Sequence, residues 1–314
     1  MKVLGTGSAL PSMVVTNDDL SKMVETNDEW IRTRTGICSR RVLSTESITD
    51  LAVLAAQRCI EDAGIACADI DYILCHNMIG DTIAPSMAAL INKEIKANCP
   101  TLDLNSACTG FIYSLDVAEA LLKNGRAKNI LVVCAEQTTY FTDWEKRETC
   151  VLFGDGAGAV VVTSGGEDYE FKISTQYSDA LNCNRRYHGT PFREKQDVYP
   201  FLEMRGRDVF KLAVTHSSDD IKTVLAKKGI TPDEVKYFLL HQANVRILDA
   251  IRHDMELTEE KFPYNINDHG NTSSASIPML LDELNKAGKI NEGDYLVLSA
   301  FGAGFTSGAC LLKW

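Results

Sequence analysis

Cys108 stands in the stretch Asp103-Leu-Asn-Ser-Ala-Cys-Thr-Gly-Phe111, where an apolar run, Thr101 to Leu104, ends and a long apolar helix over about 107–123 begins. Backbone N–H groups in a first helical turn lack intrahelical partners, and the helix dipole is positive there. Both favour a thiolate, so the expectation is a thiol acidity stronger than the free value of about 8.5. Gly110 leaves room for a second chain or a substrate to approach. The competing use of Cys108 is as a buried structural cysteine. His241 lies in His-Gln-Ala-Asn-Val-Arg246, after an apolar run from Val235 to Leu240. A neutral imidazole can donate Nε2–H to a developing oxyanion; the alternative is a satisfied buried histidine. Asn271 lies in Asp268-His-Gly-Asn-Thr-Ser-Ser274 and offers an amide donor that never ionises, or else a turn or helix cap. His269 is read as shaping that turn. Trp30, Arg32 and Arg34 cluster at a helix start marked by Asp28 and Glu29. An indole among guanidinium groups can stack an adenine and hold phosphate, or simply be covered by arginine stems. Phe301-Gly-Ala-Gly-Phe-Thr-Ser-Gly308 is a glycine-rich turn able to aim a backbone N–H into a cleft.

Other patterns are set aside. Cys75-His76-Asn77 has the residue types of a triad, but adjacent strand residues point to opposite faces and cannot converge. Gly5-Thr-Gly7 lacks the third glycine of a dinucleotide fingerprint, and Gly154, Gly156 and Gly158 match neither phosphate-loop spacing, so close backbone packing explains them better. The chain has 314 residues, a net charge of −11 and ten cysteines. The charge argues against nonspecific nucleic-acid binding. Cysteines without CxxC pairs argue for reduced thiols in a cytoplasm and against a zinc site. The first ten residues are too short and glycine-rich for a signal sequence, and no apolar run reaches membrane-spanning length.

The elements that must position these residues repeat. Asp71-Tyr-Ile-Leu-Cys-His76 resembles Lys236-Tyr-Phe-Leu-Leu-His241, and Ile130-Leu-Val-Val-Cys134 resembles Tyr295-Leu-Val-Leu-Ser299. The stretch from Leu102 through Cys108 to Gly125 matches that from Tyr264 through Asn271 to Gly288. The three pairs keep one order at an offset of 163–165 residues. The reading is an α/β chain of two βαβ-rich halves, 1–165 and 166–314, with strands apolar throughout as in parallel sheets covered on both faces. Residues 164–205 are the least regular, with a polar, basic stretch (Arg185, Arg186, His188, Arg193) inside a loop excursion at about 180–205 over a site. Helices are expected over about 49–62 and 207–228. Ligands of such sheets gather beyond the carboxyl ends of strands. Cys108, His241 and Asn271 are each placed after such a strand, so facing halves would bring all three to one cleft.

Together these residues resemble the β-ketoacyl-acyl carrier protein synthases III of the thiolase superfamily. The likeness spans nearly the whole chain, through Gly5-Thr-Gly-Ser8, Asp28 to Ile37, Ala107-Cys-Thr-Gly-Phe111, Phe153-Gly-Asp-Gly-Ala-Gly158, His241-Gln-Ala-Asn244, His269-Gly-Asn-Thr-Ser273 and Phe301 to Gly308. The resemblance implies a five-layered αβαβα fold, a homodimer and a Cys–His–Asn set made of Cys108, His241 and Asn271. It implies decarboxylative condensation of an acyl-coenzyme A primer with malonyl-acyl carrier protein through an acyl-cysteine, initiating fatty acid synthesis with no permanently bound cofactor. It further implies oxyanion donors at the backbone of Cys108 and Ala303, and coenzyme A contacts at Trp30, Arg34, Arg147 and Asn244. Lys211, Arg246 and Arg252 would form a basic rim for the carrier protein.

The sequence departs from the family at Ala303, usually glycine, at Ser307, commonly tryptophan, and at Ala84, a bulky phenylalanine in some short-primer members. Ala84 is therefore expected to widen the acyl pocket. A thiolase would need a second cysteine near Gly302-Ala-Gly304, where there is none, and a hydroxymethylglutaryl-coenzyme A synthase a glutamate base, for which no glutamate stands at a matching position. The alternatives are a secondary-metabolite relative, acting as ketosynthase or acyltransferase, and a non-catalytic partner subunit.

Overall fold

The computed structural model describes residues 1–166, 168–184, 189–195 and 198–314. Arg185, Arg186 and His188 of the basic stretch lie outside the described residues. Two mixed sheets organise the chain. The first contains β1 (Lys2–Ala9), β2 (Tyr72–His76), β3 (Thr101–Leu104), β4 (Asn129–Gln137) and β5 (Asp155–Thr163), in the order β1-β5-β4-β2-β3. The second contains β6 (Tyr169–Ser178), β7 (Val235–Leu240), β8 (Tyr295–Gly302) and β9 (Gly304–Lys313), in the order β6-β9-β8-β7. Strand for strand, β6-β9-β8-β7 repeats β1-β5-β4-β2, the architecture that the internal repeats foreshadow.

The helices that matter here are α1 (Asp28–Thr35), α2 (Ile48–Asp62), α3 (Met87–Ile95), α4 (Gly110–Lys123), α5 (Gly206–Lys228), α6 (Val245–Asp254) and α7 (Ser276–Lys286). Their ends follow local chemistry: Ser47 and Asp50 form a capping box for α2, and Gly229 closes α5 at φ 67°. Successive strand residues face opposite layers. Ile130, Val132 and Cys134 pack with Leu298, Cys310, α4 and α7 in a central helical layer between the sheets. Leu131, Val133 and Ala135 pack outward on α2 and α3, while Phe238, Val297 and Leu311 pack on α5 and α6. The result is five layers, αβαβα.

Three expectations change. The sheets are mixed rather than parallel: β5 runs antiparallel to β1 and β4, and β9 runs antiparallel to β8 and β6. Apolar runs report burial on both faces, which any central strand needs, and not direction. The segment 164–205 contains the ten-residue strand β6. It is an edge strand, half-exposed, so its polar alternation hides it. Thr101–Leu104 is also an edge rather than a buried strand, with Leu102 42% exposed. No helix among the described residues is long and apolar enough to cross a membrane.

Candidate active site

Cys108 sits at the join between β3 and α4, in a single 3-10 turn, Ala107–Thr109. Ala107 holds φ 53°, a conformation that L-residues seldom adopt, and so turns the chain sharply just before the sulfur. Gly302, next to Ala303, lies against this turn: a Cβ there would come within 2.7 Å of the Cys108 nitrogen. The helix-start argument for an acidic thiol gives the wrong sign. Burial pushes the Cys108 thiol up to about 12, against which a hydrogen bond from Ser273 acts, and Glu136 adds to the rise. The partial charges of one helix end are smaller than the cost of ionising a sulfur away from water.

His241 follows β7 directly and is buried. Burial lowers its pKa to about 3, so the ring is neutral at neutral pH. Its edge meets Phe301, which stacks on Phe305. Nδ1 lies 2.9 Å from Ser276 Oγ, whose hydroxyl is also 2.8 Å from the Ser273 carbonyl. A hydroxyl has one proton. Given to Nδ1, it leaves Nε2 as the N–H of the ring; given to Ser273, it leaves Nε2 bare.

Asn271 does not follow a strand. It follows a short helix, Ile266–His269, and is held by the turn before β5. Its N–H donates to Leu152 O at 2.8 Å, and its carbonyl accepts from Gly154 N at 3.1 Å. Gly154 is required, because a Cβ there would stand 2.1 Å from His269 O. The Asn271 Oδ1 accepts from Ser273 N at 2.9 Å, which leaves the amide nitrogen for the cavity. His269 turns away to Glu283, 2.7 Å distant.

These three segments meet on one cavity of about 550 Å³ that Cys108, His241 and Asn271 all line. Asn244, Arg34 and Arg246 line it as well. Asn244 also caps α6 through its Oδ1, 2.9 Å from Arg246 N. Trp30 lies outside the lining but is flanked by the guanidinium carbons of Arg147, 4.4 Å from the ring centroid, and Arg34, 5.5 Å from it. Leu181, Leu202 and Met204 bring the base of the 180–205 excursion into the cavity wall. Lys211 is exposed. Arg252 is turned back onto Asp249, 3.2 Å away, so its charge is already engaged. Ala84 is exposed and does not line the cavity. Ser307 is buried and donates to Asp220 at 2.6 Å, also away from the cavity.

Sequence reasoning missed Arg207 and Phe210 at the cavity wall, and Met78 deeper in it. It also missed Ser273 Oγ, 3.3 Å from Cys108 Sγ. Ser273 lay within the quoted Asn271 motif, and its hydroxyl was the available signal.

A thiol at a strand–helix join that shares one cavity with a neutral imidazole and a fixed amide, within an αβαβα fold, defines a thiolase-like condensing enzyme. Comparison with known proteins gives the family. The description "3-oxoacyl-[acyl-carrier-protein (ACP)] synthase III" matches residues 102–180, and that of its C-terminal part matches residues 225–314. A β-ketoacyl-[acyl-carrier-protein] synthase III of Aquifex aeolicus VF5 is 41% identical, with 100% of this chain and 99% of the relative covered. The crystal structure of the Thermus thermophilus synthase III superposes with a TM-score of 0.93 at 37% identity, covering 100% of this chain and 99% of that one. The priming β-ketosynthase of the R1128 polyketide pathway superposes with a TM-score of 0.92 at 32% identity, covering 99% and 95%. The chain belongs to the β-ketoacyl-acyl carrier protein synthase III family. It is an acyltransferase of fatty acid synthesis.

Proposed function

We propose that the chain condenses an acyl-coenzyme A primer with malonyl-acyl carrier protein through an acyl-Cys108 intermediate. The observation that carries this reading is the single cavity onto which Cys108, His241 and Asn271 converge from three separate segments. Cys108 attacks the primer thioester and keeps the acyl group as coenzyme A leaves. The tetrahedral oxyanion is taken by the backbone N–H groups of Cys108 and Ala303. Malonyl-carrier then enters, and His241 Nε2–H and the Asn271 amide donate to its thioester oxygen as carbon dioxide departs. This role requires the Ser276 hydroxyl to serve His241 Nδ1. The enolate carbon attacks the acyl-cysteine. Each such oxyanion donor supplies about 3–4 kcal/mol of transition-state stabilisation.

Trp30, Arg34 and Arg147 are assigned to the coenzyme A nucleotide and Asn244 to its pantetheine arm, supported by the stacked guanidinium groups and the cavity lining. Arg246 and Lys211 are assigned to the acidic carrier, with Arg207 joining them and Arg252 contributing less because of Asp249. A homodimer is supported by β3, an edge strand among the described residues, and by the exposed Leu102 and Ile83. The polyketide-priming relative keeps a secondary-metabolite primer role as the second reading, but identity to it, 32%, is below the 41% to the Aquifex synthase.

The test is intact-mass analysis after incubation with acetyl- through octanoyl-coenzyme A, with and without malonyl-carrier. The expected result is one acyl adduct that Cys108→Ala abolishes and that malonyl-carrier discharges to a β-ketoacyl product. An adduct that survives Cys108→Ala overturns the assignment.

A further inference from the structure

Behind the nucleophile lies a buried polar cluster that the condensation chemistry above does not use. His76 and Glu136 are 0% and 1% exposed. His76 ends β2 and Glu136 lies near the end of the neighbouring β4, so both project toward α4 and the nucleophile turn. The His76 ring lies where a Gly110 side chain would be: a Cβ at Gly110 would stand 2.1 Å from it. Its Nε2 accepts the Ser106 N–H at 2.9 Å, so a backbone donor keeps that nitrogen unprotonated and the ring proton sits on Nδ1. Nδ1 faces Glu136 Oε1 at 3.2 Å and Ser274 Oγ at 2.9 Å. Glu136 Oε1 also accepts from Ser274 Oγ at 2.5 Å and lies 3.3 Å from Ser273 Oγ, while Oε2 accepts from Met78 N at 3.2 Å. Ser273 Oγ lies 3.3 Å from both Glu136 Oε1 and Cys108 Sγ. The one proton of the Ser273 hydroxyl can go to Cys108 Sγ or to Glu136 Oε1; when it turns from the sulfur to the carboxylate, the oxygen is left to accept the S–H, and the three groups form a proton wire.

We infer that Ser273 and Glu136 form a proton relay for Cys108, with His76 as a positioning residue that holds the carboxylate toward Ser273. This rests on the reading of Cys108 as the nucleophile. During self-acylation the Cys108 S–H bond breaks, its proton passes to Ser273 Oγ, and the Ser273 proton passes to Glu136 Oε1. The freed sulfur pair forms the bond to the primer carbonyl carbon. Coenzyme A leaves as thiolate with the electron pair of the old C–S bond and takes a proton from solvent. In the condensation, the pair left by decarboxylation forms the new C–C bond and the acyl C–S bond breaks. The Cys108 thiolate then recovers the proton stored on Glu136. The relay gives a thiol that burial holds neutral a fixed acceptor within reach, since Ser273 Oγ stands 3.3 Å from both the sulfur and the carboxylate.

The titratable groups near enough to act on Glu136 are His76 and Cys75 from β2, Cys108 from the nucleophile turn, Cys134 from its own strand and, from the opposite face of β5, Asp155. Relay and simple repulsion predict opposite signs. A carboxylate that only repels a thiolate makes Cys108 harder to ionise, so Glu136→Gln would quicken its reactions. A carboxylate that takes the proton makes Glu136→Gln slower.

The experiment uses the full chain. Self-acylation by acetyl-coenzyme A is followed in single turnovers, and iodoacetamide capture of the Cys108 peptide is followed from acid to alkaline pH, for wild type, Glu136→Gln, Ser273→Ala and the double variant. Both single variants are expected to slow self-acylation at neutral pH by at least about tenfold. Their rates should keep rising with hydroxide where the wild type has levelled. The double variant should be no slower than the slower single one, because both break one wire. Ser273→Ala keeps the carboxylate and its other donors, and it decides alone if Glu136→Gln does not fold. Rates in either variant equal to or above wild type overturn the relay. Failure of wild-type Cys108 to acylate at all would instead overturn the nucleophile assignment.

Discussion

Burial acts on Cys108 and His241 alike and drives both to their uncharged forms, from opposite ends of the pH scale. His241 titrates at about 3 when folded, against an ordinary 6.5. Between those values the unfolded chain binds a proton at this histidine that the folded chain refuses. The stability linked to His241 is therefore present above pH 6.5 and is lost as pH falls toward 3. Acidifying from neutral pH to about pH 4.5 should cost the wild type about 2 kcal/mol more than His241→Asn, read as the difference in urea midpoints. Equal losses in the two proteins would mean that His241 titrates normally. Cys108 has the reverse sign: its folded value lies above the ordinary 9.0, so its contribution holds below that pH and fades in alkali. The types and neighbours of both residues were readable in the sequence. A neutral His241 was read there too, but the protonation of Cys108 was not, because a helix start is visible in sequence whereas the depth of a cavity depends on segments more than a hundred residues away.

At the scale of elements, β2 and α4 are fitted to one another through a histidine and a glycine. Gly110→Ala in an ordinary helix gains up to about 1 kcal/mol. Here the added carbon would overlap the His76 ring at 2.1 Å, in a layer where neither element can retreat. Gly110→Ala should instead destabilise by about 1–3 kcal/mol, as overpacking does. In a double-mutant cycle, His76→Ala combined with Gly110→Ala should be more stable than the sum of the single changes, measured by denaturant midpoints; strict additivity would show that the ring and the glycine do not interact. The sequence identified Gly110 as a place of close approach but assigned it to an incoming chain or substrate. It set Cys75-His76-Asn77 aside because alternate side chains diverge, and they do: Cys75 packs outward on α2 and α3 while His76 faces α4. What adjacency could not reveal was His76's partners, Glu136 and Ser274, which come from β4 and from the other half of the chain. Asn271 was misplaced after a strand for a related reason. The repeat predicts a counterpart of β3, but in the second half that position is the short helix Ile266–His269, and the anchoring is done by Leu152 and Gly154.

For the molecule as a whole, duplication was legible as recurring apolar runs, and the order of the two sheets follows from it. The charge distribution was legible in part: Arg34 was read beside Trp30 and Arg246 came with the family resemblance, whereas Arg207 was not picked out, because net charge says nothing about where the exceptions gather. A chain of net charge −11 places Arg34, Arg207 and Arg246 on the lining of its reactive cavity. On the proposed reading, this is how an acidic enzyme accepts an acidic carrier: the local field near the opening steers the partner while the remaining surface repels it. Arg207 and Arg246 are exposed and lie on different elements, α5 and α6, so reversing them leaves the core untouched. Arg207→Glu with Arg246→Glu should raise KM for malonyl-carrier by at least about tenfold, since charge at a rim acts mainly on encounter. It should leave kcat within about twofold and flatten the fall of kcat/KM with added salt. Self-acylation by acetyl-coenzyme A should change less, because Trp30, Arg34 and Arg147 remain. If the double reversal slows both half-reactions equally, the two arginines serve the nucleotide of coenzyme A, and the carrier must be met by another face.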